Sequence, residues 1–162
     1  MPPPQHQRGL IPSFLDRLTD PESAGTAIMS GYSIEKMYAA VLRDLEDLLN
    51  TRRTVTDIAP ALVEVRDSIV AYGLPDIASV QAASTFDRNT IAGAIGSVIR
   101  RFEPRLRDVT VVLLNPEDDL VRQSVKFRVD ARLDADPYPD IAFDTILEMG
   151  SGQYVVTPAA HE

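Results

Sequence analysis

Val98-Ile99-Arg100-Arg101-Phe102-Glu103-Pro104-Arg105-Leu106 joins two halves of the chain that follow different periodicities. Upstream, Ile91, Ile95, Val98, Ile99 and Phe102 recur at i, i+4, i+7, i+8 and i+11, one face of an α-helix. Pro104 stops that helix, because proline lacks a backbone donor and pushes Glu103 out of the α region. Beyond it, Val109 to Leu114 reads as a buried strand. Glu103 and Arg105 therefore sit on a corner between two packed elements. Read from the residues alone, this corner is either a helix stop with two solvated charges or a fixed pair of charges offered to a partner.

Before the corner the chain reads as helical. Ser33 is a good N-cap with Glu35 in the first turn. Ile34, Met37, Tyr38, Val41, Leu42, Leu45, Leu48 and Leu49 then follow at helical spacing, with Arg43, Asp44, Glu46 and Asp47 on the wet face. Asn50 and Thr51 end this helix, and Arg52 and Arg53 lie where its dipole favours cations. Pro60 opens a second predicted helix, Ala61 to Tyr72, with Leu62, Val65, Ile69 and Val70 as its apolar set. Gly73 and Pro75 close it, and a helical turn is expected at 75–80. Ser84 or Thr85 caps the third main helix, which runs to Phe102. Gly93 and Gly96 within it are expected to allow close helix packing. Ser13 to Leu18 reads as a short amphipathic helix ahead of all these, followed by loop to Gly31.

After the corner the period becomes two. Val125, Phe127, Val129, Ala131 and Leu133 alternate with Lys126, Arg128, Asp130 and Arg132, a strand with one face buried. Asn115 to Asp119 is the hairpin connection before it. Ile141 to Leu147 gives a third strand and Gln153 to Thr157 a fourth, joined by a turn at Gly150 and Gly152. The expected fold is α+β, with N-terminal helices packed on one face of a three- to four-stranded antiparallel sheet formed by the C-terminal half. Residues 1–12 and 158–162 read as tails around a single domain, 13–157.

Composition narrows the chemistry. The 162 residues contain no cysteine, and the two histidines, His6 and His161, lie in the expected tails. That excludes thiolate nucleophiles and disulfides and leaves no histidine for a catalytic triad or a zinc site in the folded body. No catalytic residue, metal or cofactor is expected. The net charge of −8 argues against nucleic acid as a partner. No apolar run follows the start or approaches the length of a membrane span, so a cytoplasmic chain is expected. Only Lys36 and Lys126 among the 16 basic residues are lysines. Arginine suits bidentate interface contacts, although arginine-rich codon usage explains the bias equally well.

The motifs Asp44-Leu-Glu-Asp-Leu-Leu-Asn-Thr-Arg-Arg53, Tyr72-Gly-Leu-Pro-Asp76, Arg101-Phe-Glu-Pro-Arg-Leu106 and Phe143-Asp-Thr145 run in a recognisable order. In them the chain resembles the TssE-type baseplate component of bacterial type VI secretion systems. More distantly it is similar to the sheath-initiating baseplate wedge protein of contractile-tailed phages. The resemblance implies a non-enzymatic structural subunit at a cytoplasmic baseplate against the inner membrane. It implies that Glu103, Pro104 and Arg105, with Arg101, Arg52 and Arg53, contact the wedge subunits TssF and TssG, with TssK beyond. It further implies that Phe143, Thr145, Tyr154, Val155 and Val156 belong to strands that meet the sheath proteins TssB and TssC by strand addition. On this reading Arg105→Glu leaves the domain folded and abolishes wedge binding. Two other readings stand beside it. One is a lysozyme-like glycoside hydrolase, whose nearest candidate acid is Glu64 between Val63 and Val65. The other is a regulatory module for a small ligand, although Ala92 to Gly96 lacks the strand and lysine of a phosphate loop.

Overall fold

The structure, a computed structural model, describes residues 14–19, 33–55, 57–75, 85–114, 124–135 and 139–159. Within these, α1 (Phe14–Thr19), α2 (Ile34–Asn50), α3 (Val63–Arg66), a 3₁₀ turn (Ile69–Ala71) and α4 (Thr85–Phe102) precede four strands. The strands are β1 (Leu106–Leu114), β2 (Ser124–Leu133), β3 (Asp140–Glu148) and β4 (Gln153–Pro158). They form one antiparallel meander in the order β1-β2-β3-β4. The α+β arrangement expected from the sequence is the one found. The hairpin loop at 115–119, the turn at 76–80, the loop before Gly31 and both chain ends lie outside the described residues.

Ser33 caps α2 by accepting the Lys36 N–H at 3.3 Å. The apolar stripe of α2 covers β4, while α4 covers β1 and touches β2. Between the helices and the sheet lie Val41, Leu45 and Leu48 of α2, Ile91, Ile95 and Ile99 of α4, and Val125, Phe127, Val129, Leu133 and Phe143 of the sheet. Each such side chain stabilises the fold by about 1.5–3 kcal/mol on burial. Tyr38 stacks on Phe143 with ring centroids 5.1 Å apart, and its hydroxyl donates to the Ala142 carbonyl.

Two features depart from simple periodicity. In β1 the register slips between Arg107, opposite Arg132, and Thr110, opposite Asp130. Asp108 and Val109 together face Ala131, and Asp108 takes the left-handed conformation that aspartate tolerates (φ 53°). This bulge turns both Leu106 and Val109 into the core. The second departure is the predicted helix over 61–72. It is broken into α3 and the 3₁₀ turn, because the Ser68 hydroxyl donates to the Val65 carbonyl at 2.7 Å and accepts the Val70 N–H. Leu62, Val63, Val65, Ile69 and Val70 are left exposed, Ile69 by 87%. They form an apolar ledge in place of the buried stripe expected.

Thr145 on β3 is 1% exposed, and its hydroxyl has no hydrogen-bond partner among the described residues. An unmet buried hydroxyl costs about 1–3 kcal/mol. Thr145→Val, which keeps the shape and removes the polar atom, is therefore expected to raise the unfolding free energy by about 1 kcal/mol in urea. A lowered midpoint would show that the hydroxyl is satisfied in solution.

Candidate partner interfaces

The corner after α4 is an ionic clamp. Glu103, 4% exposed, turns its carboxylate back onto Arg105. Arg105 Nε donates to Glu103 Oε1 at 2.7 Å and Nη2 to Oε2 at 2.5 Å. The Arg105 backbone N–H also donates to Oε1. The same Nη2 reaches Asp44 Oδ2 on α2 at 2.6 Å. Asp44 is shared with Arg43, which continues to Asp16 on α1 at 3.0 Å. Asp16, Arg43, Asp44, Arg105 and Glu103 thus alternate in sign from α1 across α2 to the corner. Burial works against the Arg105 charge, but Glu103 and then Asp44 more than offset it and hold the guanidinium above its ordinary pKa. Tyr72 packs edge-on against Phe102, and burial, followed by Asp47, Asp44 and Glu103, pushes its phenol up.

The other corner residues divide. Pro104 is exposed. Arg101 is exposed but pairs with Asp67 at 3.2 Å and donates to the Arg66 carbonyl, tethering the apolar ledge to the end of α4. Arg52 is exposed, and its backbone bridges to Leu74 in parallel. Arg53 is half-buried, its N–H donating to the Leu74 carbonyl at 2.8 Å. Glu103 and Arg105, read from the sequence as a pair facing outward, are brought together, but facing one another and Asp44. The ledge from Leu62 to Val70, the apolar set of the predicted second helix, is exposed. The signal that it stays outside was Asp67-Ser68, a helix-breaking pair within the apolar pattern. Asp44 could not be picked out from the other acids on the wet face of α2.

The two edges of the sheet differ. Phe143, Thr145, Tyr154 and Val156 point into the core, while Val155 is exposed on the outer face. At the β4 edge, Asn50 donates to the Tyr154 carbonyl at 2.8 Å and accepts its N–H at 2.9 Å. Glu46 accepts the Val156 N–H at 3.2 Å. Side chains of α2 thus occupy the backbone groups that a strand added to β4 would need. These contacts also fix the alternation across the sheet. The backbone groups of Tyr154 and Val156 face away from β3, so those of their partners Leu147 and Thr145 bond to β2. In turn Val125 and Phe127 bond to β3, and Lys126, Arg128 and Asp130 bond to Leu114, Val112 and Thr110. Val111 and Leu113 are left with backbone N–H and C=O groups on the outer edge of β1. Among the described residues no partner meets them. The carbonyl of Val109, next in that series, accepts from Arg100 Nη1 at 3.1 Å.

Among the described residues there is no group of three or more histidine, cysteine, aspartate or glutamate side chains placed to hold a metal, and no helix long and apolar enough to cross a membrane. Glu64, the nearest candidate for a glycosidic acid, is exposed on α3.

Residues 35–138 match the profile of a protein family described as baseplate wedge protein gp25. No curated protein and no solved structure matches the chain.

Proposed function

The chain belongs to the baseplate wedge protein gp25 family, structural components of contractile injection machines, and from that premise we propose that it is the TssE-type subunit of a type VI baseplate, binding wedge subunits at its α4–β1 corner and starting sheath assembly by strand addition. The observation that carries this reading is the asymmetry of the sheet. One edge is closed by Asn50 and Glu46, and the other leaves Val111 and Leu113 unpaired. An unpaired edge invites aggregation unless something fills it. In an assembly protein, a strand from the next subunit does so.

The wedge-facing surface, on this reading, is the ledge from Leu62 to Val70 together with Pro104, Arg101 and Arg52. Apolar patches of this kind on an otherwise packed domain mark contact surfaces. Glu103 and Arg105 act behind it, fixing the corner on α2. TssF and TssG are the expected wedge partners, with TssK beyond, and TssB and TssC the sheath partners. The role is non-enzymatic and sited at the cytoplasmic face of the inner membrane. A glycosidase would need a carboxylic acid kept protonated beside a second carboxylate. Both Glu103 oxygens instead accept from a guanidinium, and Glu64 lies open to solvent.

Ile69→Asp tests the wedge surface. Because the side chain is 87% exposed, the unfolding free energy is expected to change by no more than about 0.5 kcal/mol. Co-purification with the wedge subunits is expected to be lost. In parallel, wild-type protein added to purified sheath subunits should shorten the lag before sheath forms. Retained wedge binding by the variant, with no effect of the wild-type chain on sheath assembly, removes the proposal.

A further inference from the structure

β4 has the composition of a strand that pairs readily with another. Tyr154, Val155, Val156 and Thr157 are aromatic or β-branched, and no residue of the strand is charged. An edge of this kind joins other chains unless a charge, a bulge or a cover stops it. Pro158 blunts only the last position. The stop at Tyr154 and Val156 comes from another element, α2.

Asn50 does there what a residue of a fifth strand would do. Its amide donates one hydrogen bond to the backbone of Tyr154 and accepts one from it, at 2.8 and 2.9 Å. Facing residues of antiparallel strands exchange the same two bonds. Glu46, one turn earlier on the same side of α2, accepts the Val156 N–H. The positions these two residues cover are self-complementary. Two copies of β4, laid antiparallel about Val155, set Tyr154 of each against Val156 of the other, so that the donors and acceptors turned away from β3 meet. The same register sets Val155 against Val155 on the outer face and Gln153 against Thr157. Apolar side chains then face apolar ones, and an amide faces a hydroxyl.

We propose that Asn50, with Glu46, is an edge guard: the two side chains hold the backbone groups that β4 of a second copy of this chain would otherwise take, and so keep the free subunit from pairing with itself. The inference stands on β4 alone, whatever meets the opposite edge of the sheet. It also gives Asn50 a role distinct from that of Arg52 and Arg53, its neighbours in the same stretch of sequence. Asn50 faces its own sheet and decides what is refused there.

The test uses the full chain as wild type, as Glu46→Ala with Asn50→Ala, and as that pair with Val155→Lys added. Alanine is the best helix former, so α2 keeps its helix. In the wild type the Tyr154 and Val156 amides are expected to exchange slowly, although they lie on a sheet edge. In the dilute double variant they are expected to exchange about tenfold faster, the loss of one ordinary hydrogen bond. As its concentration rises, the double variant is expected to double in mass where the wild type does not change, and the two amides become slow again. Val155→Lys sets two ammonium groups opposite one another in that pairing, and is expected to abolish it. Should the pair of alanines fail to fold, Asn50→Ala alone, which leaves Glu46 on Val156, is read in the same way. Fast exchange of the Tyr154 and Val156 amides in the wild type overturns the guard, and so does a folded double variant that stays at the wild-type mass. Association that Val155→Lys leaves intact, or that leaves the two amides exchanging fast, lies elsewhere on the surface and overturns the β4 pairing.

Discussion

Arg105→Glu is expected to unfold the domain, not merely to sever a contact. The structure reverses the expectation drawn from sequence, in which this arginine faces a partner and the variant stays folded. Arg105 answers both oxygens of Glu103, which is almost wholly buried, and one oxygen of Asp44. Removing the cation from a buried pair leaves an uncompensated charge and costs about 3–5 kcal/mol. Glutamate adds a third carboxylate to the two already converging there. Since whole domains are stable by only about 5–15 kcal/mol, such a loss takes most of the margin of a domain at the low end of that range, and the added carboxylate deepens it. Equilibrium denaturation in urea checks it. Arg105→Lys should fall between, because an ammonium lacks the fork that serves Glu103 and Asp44 together. A glutamate variant with the wild-type midpoint would show the corner to be solvated and return Arg105 to the role of an outward contact.

The same geometry bears on how the motif acts in assembly. Glu103, Pro104 and Arg105 set the angle at which α4 passes into β1. Asp44 ties that angle to α2. Loss of wedge binding in a variant of Arg105 is therefore uninterpretable without a stability measurement, whereas Ile69 can be altered without touching the clamp.

What could be read in the sequence was what local spacing controls. The stripe of α2, the face of α4 and the alternation of β2 each follow from one element meeting one layer, and all are found. The exceptions have distinct physical sources. Leu62, Val65, Ile69 and Val70 keep helical spacing, yet Ser68 offers the backbone a competing hydrogen-bond partner, and those four side chains remain exposed. The start of β1 was hidden because strict alternation from Leu106 puts Asp108 on the core face. Only the bulge moves Val109 inward. At the corner, the direction in which Glu103 and Arg105 face depends on Asp44, 61 positions from Arg105, which no local pattern marks. The closed edge at β4 has the same character, since Asn50 and Glu46 reach it across more than a hundred residues.

Gly73→Ala is the second substitution expected to have a large effect. Gly73 has φ +95°, where an L side chain is strained, and its Cβ would stand 2.3 Å from the Thr51 carbonyl oxygen. That oxygen is not a bystander. It accepts the Leu74 N–H at 2.9 Å, while the Leu74 carbonyl accepts the Arg53 N–H, so the two segments pair only if residue 73 lies this close. Leu74 is buried in the core beyond this pairing. The alanine variant must rotate out of the left-handed region or push the segments apart, and either movement gives up the bridge. The expected cost is about 2–4 kcal/mol, combining backbone strain with the lost hydrogen bonds. Urea denaturation gives the total, and amide exchange at Arg53 and Leu74 shows whether it falls on the bridge. If both amides stay protected while stability drops, the strain is absorbed within the turn and the bridge is more adaptable than its 2.3 Å approach implies. If stability is unchanged, the close approach is not maintained in solution.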